Sequence, residues 1–134
     1  MENKELTYRL DRLVSLLVRH RESRCFTCGR RLPFNLRQAG HYNSRTIRAT
    51  RWDLDNVHVQ CNKCNVVLGG NIQVYRAKLD PMVRSRLDAM KKLYDNGKLP
   101  EPTYKEKIQK YNELLGCARE KNCLPKSIEW QEVK

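Results

Sequence analysis

The sequence predicts an α+β fold that is mainly helical, with a small zinc-bound core between a long N-terminal helix and C-terminal helices. Two cysteine pairs at C-x-x-C spacing, Cys25 with Cys28 and Cys61 with Cys64, indicate the core. Apolar residues recur at helical spacing before and after it. At 134 residues and 40% hydrophobic content the chain can form one compact domain, and a bound metal would offset its small core.

We treat 1–134 as a single domain with four parts. They are an N-terminal helix at 4–21, a zinc-bound core at 24–79, C-terminal helices at 80–122 and a tail at 123–134. We find no internal repeat and no low-complexity segment that would suggest another division.

The N-terminal helix carries an apolar stripe at helical spacing. The stripe consists of Leu6, Leu10, Leu13, Val14 and Leu17. Leu16 and Val18 widen the apolar surface beyond one face, which predicts packing on two sides. The second side would contact either the rest of the core or another subunit.

Start and stop signals delimit two C-terminal helices. Asp80 and Pro81 supply an N-cap and a proline at the first helical position, and Gly97 follows the predicted end. Thr103 with Glu106 forms a capping box for the next helix.

The four core cysteines match the ligand set of a structural zinc ion. Each C-x-x-C turn brings two thiolates to one side, and four thiolates complete the closed tetrahedral shell that structural zinc prefers. Buried free thiols and disulfides are the alternatives. The sequence has no apolar run of membrane-spanning length and no signal peptide, which predicts a cytoplasmic protein in a compartment that disfavours disulfides. Cys117 and Cys123 lack ligand neighbours at suitable spacing, and we interpret them as non-ligands.

Positive charge is concentrated around the cysteines. The formal net charge is +12, and between Arg19 and Arg51 there are nine arginines, no lysine and one acid, Glu22. Arginine presents a rigid fork of donors suited to phosphate oxygens, so we predict a nucleic-acid partner, with no membrane and no small-molecule substrate. The predicted contacts are Arg19, Arg30, Arg31, Arg37, Arg45, Arg48 and Arg51. An ordinary solvated basic face is the alternative.

Two short strands and a helix are predicted inside the core. An extended piece lies around Gly40 to Asn43, and a second strand ends at Gln60, with His58 and Gln60 opposite Val57 and Val59. From Asn65 the pattern becomes helical. Its stripe is Leu68, Ile72, Tyr75 and Leu79. The Gly69-Gly70 pair indicates a kink or a close approach by backbone or phosphate.

His41 is the candidate for acid–base chemistry. Cleavage of a phosphodiester near neutral pH needs a base that activates water and a divalent cation that neutralises charge on the phosphate. An imidazole titrates in that range, and a carbonyl or amide acceptor on the second strand would fix its tautomer. Asn56 would do this directly or by shaping the loop. Asn65, directly after the last core cysteine, lies where a helix should begin.

The order of these motifs resembles the phage NinG/Rap recombination nucleases. The matching segments are Cys-x-x-Cys, Gly-His-Tyr, Asn-Val-His-x-Gln-Cys-x-x-Cys-Asn and Gly-Gly-Asn, with Leu10 to Ser15 in the opening helix. The resemblance covers roughly residues 6 to 95. More distantly the chain is similar to HNH, or ββα-metal, endonucleases, including the endonuclease VII type with four-cysteine zinc. This implies a treble-clef-like core in a homodimeric, phage-encoded endonuclease that cuts Holliday junctions and D-loops with Mg²⁺ or Mn²⁺.

The same resemblance implies roles for individual residues. His41 matches the general base, Asn56 the middle asparagine and Asn65 a ligand of the catalytic metal. Many HNH enzymes have an aspartate ligand before the base, where this chain has Gly40. His58, Asp53, Asp55 or Asn71 would replace it, and we favour His58.

Other interpretations of these residues remain open. His41 would otherwise be a hydrogen-bonded structural histidine, His58 a brace for the zinc sulfurs or a carbonyl, Asn65 a helix cap and Asn71 a polar helix residue. Two other functions would also fit: a zinc-dependent nucleic-acid-binding module without catalysis, and an HNH nuclease that cuts linear duplex at one sequence.

Overall fold

The computed structural model describes residues 4–98 and 104–120, with side chains up to Gly116 in the last helix. Its helices are α1 (Lys4–Arg21), α2 (Arg48–Arg51), α3 (Ile72–Lys78), α4 (Pro81–Asp95) and α5 (Tyr104–Glu120). The strands are β1 (Gln38–His41) and β2 (Val57–Gln60), and short helical turns lie at Phe34–Leu36 and Lys63–Val67. The predicted mainly helical α+β class is confirmed. The capping residue Thr103, the tail and the side chains of Cys117 and Cys123 lie outside the described residues.

Helix α1 is the central support of the fold. Leu10, Val14 and Val18 are at most 1% exposed and pack in one cluster with Val57 and Val59 of the sheet. The helix also packs along α5, whose inward side chains Ile108, Tyr111 and Leu115 belong to the same cluster. The two-sided burial predicted for α1 is therefore packing within one chain.

The two strands form an antiparallel hairpin with a fixed register. Ala39 pairs with Val59, Gly40 with His58 and His41 with Val57. Since side chains alternate along a strand and partners share a face, His41 lies on the α1 face of the sheet. His58 lies on the opposite face, beside Tyr75 of α3.

We predicted a helical pattern from Asn65 with a kink or a close approach at Gly69-Gly70, and the structure has a complete break there. The chain forms one wide, π-type turn at Lys63–Val67, followed by Gly69, Gly70 and Asn71 at positive φ. Glycine adopts that conformation at little cost, so the glycine pair ends the turn and α3 starts afresh at Ile72. Tyr75 and Leu79 are buried as expected, whereas Leu68 and Ile72 are 49% and 41% exposed.

Helix α4 covers a second, smaller cluster. Asp80 caps it by accepting hydrogen bonds from the backbone of Met82 and Val83, as predicted. Leu87 packs with Tyr42 and with the buried residues of α3. Within the described ranges, no helix is both long and apolar enough to cross a membrane.

Glu22 ties the end of α1 to β2. Its Oε1 accepts a 2.8 Å hydrogen bond from the amide of Val59, and its Oε2 lies 2.6 Å from Nδ1 of His58. Burial alone would raise the pKa of Glu22, but His58, Arg21 and the Val59 amide hold it below 4.5. A carboxyl with a depressed folded pKa stabilises the fold above its unfolded pKa, and this contribution is lost as pH falls through the folded pKa.

Glu22→Gln should lower the free energy of unfolding by about 1–3 kcal/mol at neutral pH, because the charged hydrogen bonds to His58 and Val59 are weakened. The difference from wild type should shrink as the pH is lowered below 4.5. Urea unfolding across that range measures it. Asp95→Asn, which removes only an exposed pair with Lys91, serves as the control. A difference that does not change with pH would contradict the assignment.

Candidate functional site

The four core cysteines converge on one point. Their Sγ atoms all lie within 4.8 Å of one another, and those of Cys28 and Cys61 are 3.8 Å apart. Four sulfurs around a zinc ion at about 2.3 Å would be separated by roughly 3.8 Å. The cluster therefore fits a zinc ion, as the cysteine spacing predicts.

Donors around Cys25 favour the thiolate form of this ligand, which zinc requires. Thr27 Oγ1 lies 3.4 Å from Cys25 Sγ, and the amides of Cys28 and Cys64 point at the first sulfur of each pair. Although burial raises the pKa of Cys25, the hydrogen bonds from Thr27 and nearby amides outweigh it and lower the pKa to about 6. Such outer contacts orient ligands and tune a metal site.

His41 is held in one tautomer by a backbone carbonyl. Its Nε2 lies 3.0 Å from the carbonyl oxygen of Arg51. A carbonyl only accepts, so Nε2 carries the proton and Nδ1 of the neutral ring is left as an acceptor. Burial lowers the pKa of His41 below 6.5, and the Arg51 contact offsets only part of this. The ring is thus neutral, and able to take a proton, at neutral pH. The acceptor lies on α2 rather than on the second strand, where we predicted it.

Asp11 is a residue that the sequence analysis missed. Its carboxylate accepts two hydrogen bonds from Arg51, at 3.0 and 2.7 Å, and one from Nε1 of Trp52 at 2.9 Å. Burial raises the pKa of Asp11, but these donors lower it below 3.8. Asp11 therefore anchors the residue whose carbonyl orients His41. The sequence signal was an acid in the middle of the helix, close to Arg9 and Arg12.

Asn56 acts by shaping the loop between the strands, the second of the two roles predicted for it. It is fully buried, its Nδ2 donates to the carbonyls of Asn43 and Thr50, and its Oδ1 accepts from the amide of Asn43. None of these hydrogen bonds involves the ring of His41. Since α2 begins at Arg48, these bonds fix the short helix that carries the Arg51 carbonyl.

An open cleft of about 840 Å³ lies between α1, β1 and the turn after Cys64. His41 and Asn65 both line it. Among its described lining residues the only carboxylate is that of Asp11, which already binds Arg51. The arginines lining the cleft are Arg12, Arg19, Arg37, Arg45 and Arg51.

The structure divides the predicted arginine contacts into separate groups. Arg30 and Arg31 line a smaller pocket elsewhere. Arg48 lies over the rings of Trp52 and Tyr104, at 5.4 and 5.5 Å. Arg37 is only 4% exposed and donates to the carbonyls of Leu32 and Arg19.

Arg37 is therefore chiefly a structural residue, which corrects its assignment as a phosphate contact. Exposed Arg45 and half-buried Arg19 and Arg51 remain at the cleft. Exposed Arg12, which we did not predict, joins them.

The expectation that β2 aims His58 into the site beside His41 is wrong. The register places the two rings on opposite faces of the hairpin. His58 stacks on Phe26 at 3.9 Å and pairs with Glu22. It therefore braces the hairpin against the end of α1.

The two candidate asparagine ligands have different surroundings. Asn65 Nδ2 donates to Gln38 Oε1 at 2.9 Å, and no described residue donates to Asn65 Oδ1. Asn71 lies outside the cleft, where its Nδ2 points at Cys64 Sγ from 3.7 Å. The proposal of Asn71 as a catalytic-metal ligand is thus corrected, because its amide supports the cysteine cluster.

The side chain of Gln60 occupies the space that a side chain at position 40 would need. An ideal Cβ on Gly40 would lie 1.9 Å from Gln60 Oε1. The Gln60 amide is fully buried and donates to Thr27 Oγ1 and to the carbonyl of Gly70, at 3.1 and 2.8 Å. The aspartate common in HNH enzymes cannot be accommodated here while Gln60 keeps this position.

Comparison with known proteins identifies the family. The family model for the bacteriophage lambda NinG protein matches residues 2–121. The chain belongs to the NinG family. No curated protein and no solved structure matches the chain. The match spans α1, the cysteine cluster, the hairpin and α5, so the NinG family assignment covers every part of the site described above.

Chelation of the metal, or Cys61→Ser, should unfold the hairpin and its surroundings, because structural zinc contributes on the order of 10 kcal/mol to folding. Metal analysis of the purified protein and thermal unfolding followed by circular dichroism test this. We expect one zinc per chain in the wild type. Cys123→Ser, which changes a predicted non-ligand, should keep both the zinc and the melting temperature. Equal stability with and without chelator would exclude a structural metal.

Gly40→Asp should destabilise the fold by about 1–3 kcal/mol or more, because the new side chain collides with Gln60. In a Gln60→Ala background the same change should cost less. Denaturant unfolding of the four proteins gives the interaction energy. Gly116→Ala, where an added Cβ has open space, is the control for a glycine replacement. Additive effects would contradict the predicted steric exclusion.

Proposed function

We propose that this chain is a structure-selective endonuclease of the HNH type that cuts branched DNA, such as Holliday junctions and D-loops, during phage recombination. The observation that carries the proposal is His41, a neutral histidine with its tautomer fixed, in a cleft lined by arginines. A base and a phosphate-binding surface are the two requirements for phosphodiester hydrolysis that protein side chains can supply. The NinG family membership supports the same conclusion.

His41 would act as the general base. With Nε2–H donating to the Arg51 carbonyl, Nδ1 accepts a proton from the attacking water. The carbonyl then stabilises the imidazolium that forms, since Nε2 remains its donor. Asp11 is a positioning residue, because it holds Arg51 through two hydrogen bonds and does not contact His41.

Asn65 is the residue that would hold a divalent cation. Its Oδ1 is an oxygen ligand of the kind that Mg²⁺ and Mn²⁺ prefer, and it lines the same cleft as His41. Magnesium commonly binds few protein oxygens and completes its shell with substrate phosphates and water, which fits a site with one amide oxygen. The bound cation would neutralise charge that develops on the phosphate.

The arginines at the cleft would hold the DNA backbone. The guanidinium of Arg51 is bound by Asp11, whereas Arg12 and Arg45 are exposed at the cleft and Arg19 is half-buried there. The last three are suited to phosphate oxygens. Cutting both strands of a junction needs two active sites, which a homodimer with two-fold symmetry would provide.

A non-catalytic zinc-dependent DNA-binding module is the second candidate. The observation that favours it is the shortage of oxygen ligands around His41, since the single lining carboxylate among the described residues is bound to Arg51. Such a module would use the arginines and cysteines without needing His41.

His41→Ala should reduce cleavage of a labelled four-way junction by roughly a hundredfold to ten-thousandfold, as expected for loss of a general base, with binding unchanged. His58→Gln is the matched control, because it replaces the other histidine of the hairpin on the opposite face. It should keep the cleavage rate of the folded protein. Rates are measured with Mg²⁺, with Mn²⁺ and without added cation, on the junction and on a linear duplex of the same sequence.

The pH dependence gives an independent test. Because the pKa of His41 lies below 6.5, wild-type cleavage should persist as pH falls through that value and decline only below it. Tight junction binding without cleavage in either metal would favour the binding module. If linear duplex is cut as fast as the junction, the proposed preference for branched DNA is wrong and only the proposed HNH-type cleavage remains.

A further inference from the structure

Three consecutive apolar side chains are exposed beside the cleft. Val66, Val67 and Leu68 are 62%, 68% and 49% exposed. They form the end of the wide turn at Lys63–Val67 and the residue after it, and we call them the apolar rim. Water contact with three neighbouring large apolar side chains is unfavourable, so such a patch indicates an interaction surface.

The apolar rim is bounded on both sides by residues of the cleft. Asn65 precedes it and lines the cleft, and Gly69 and Gly70 follow it and also line the cleft. The positive φ angles of the two glycines, 60° and 97°, turn the chain sharply back. The rim therefore lies at the edge of the site, directly after the proposed cation ligand in the chain.

The base of the rim is firmly held. The amide of Leu68 donates to the carbonyl of Lys63, and the amide of Gly70 donates to the carbonyl of Cys64, a residue of the metal cluster. Gln60 also donates to the carbonyl of Gly70. The three apolar side chains are thus presented on a backbone that is fixed by hydrogen bonds, which suits a surface that must contact a partner without rearranging.

The chemistry of the adjoining cleft limits what can cover the rim. A second copy of this chain would bring its own arginine-lined cleft against the first, and each chain carries a formal charge of +12. Like charges at an interface are costly. The partner must instead combine negative charge with a neighbouring apolar surface. DNA offers that combination where bases are unstacked, because the base faces are apolar and the phosphates are negative.

We propose that the apolar rim packs against unstacked bases at the branch point of the DNA whose backbone lies in the arginine cleft. In a continuous duplex the base faces are covered by stacking, so the rim finds a partner only where an arm begins or a strand leaves the helix. The rim thereby favours branched over linear DNA. This inference rests on the proposed endonuclease function and names the part of the surface that selects its substrate.

The test replaces Val66, Val67 and Leu68 together by serine. All three are exposed, so the variant should fold as wild type, which its melting temperature checks. Affinities for a four-way junction and for a linear duplex are measured without added Mg²⁺ or Mn²⁺. We expect the ratio of the two affinities to fall about tenfold, mainly through weaker junction binding. Met82→Ser, which changes an apolar side chain that is 83% exposed on α4, should leave the ratio unchanged.

A fluorescent base reports the contact directly. With 2-aminopurine at the branch point, wild type should raise the fluorescence as the base unstacks, and the serine variant should not. An unchanged affinity ratio, an equal loss on both DNAs, or conversion of a dimer to monomers in sedimentation would overturn the proposal. If the wild type neither binds junctions more tightly than linear duplex nor cuts them, the proposed endonuclease function itself is wrong. If the wild type and the serine variant prefer the junction over linear duplex to the same degree, only the proposed role of the apolar rim is wrong.

Discussion

A two-stranded sheet with four residues in each strand is too small to be stable in water by itself, and every candidate functional residue of this chain depends on that sheet. The fold supports it from four directions. Leu10, Val14 and the rest of the α1 stripe cover one face, Tyr75 of α3 donates to the carbonyl of Gly40 on the other, and the cysteine cluster closes one end. The buried amide of Asn56 secures the opposite end.

The two faces of the hairpin have different tasks. On the α1 face, His41 meets the cleft, and its orientation passes through Arg51 to Asp11 on the helix. On the other face, His58 of β2 pairs with Glu22 at the end of α1 and stacks on Phe26. One strand pair therefore carries two histidines in different surroundings, and the register decides which of them lines the cleft.

The sequence predicted the parts of this site whose spacing is local. The two C-x-x-C turns, the position of His41 before a loop, and the break at Gly69 all follow from short-range patterns, and the structure agrees with each. The missing parts are contacts over long sequence separations. Asp11 meets Arg51 forty residues away, and the acceptor for His41 is a backbone carbonyl, which no side-chain pattern can reveal. Counting charges in the sequence also could not distinguish Arg37, whose guanidinium donates to two backbone carbonyls, from the arginines that are exposed.

The contact between Gln60 and Gly40 has a consequence for how such sites diverge. A carboxylate at position 40 and a long side chain at position 60 exclude each other, because both would fill the same space beside the strand. A lineage moving from one arrangement to the other must first shorten residue 60, which gives up the bonds to Thr27 and Gly70. The two positions are therefore coupled, because a carboxylate at position 40 alone collides with Gln60 and a shortened residue 60 alone loses two buried hydrogen bonds.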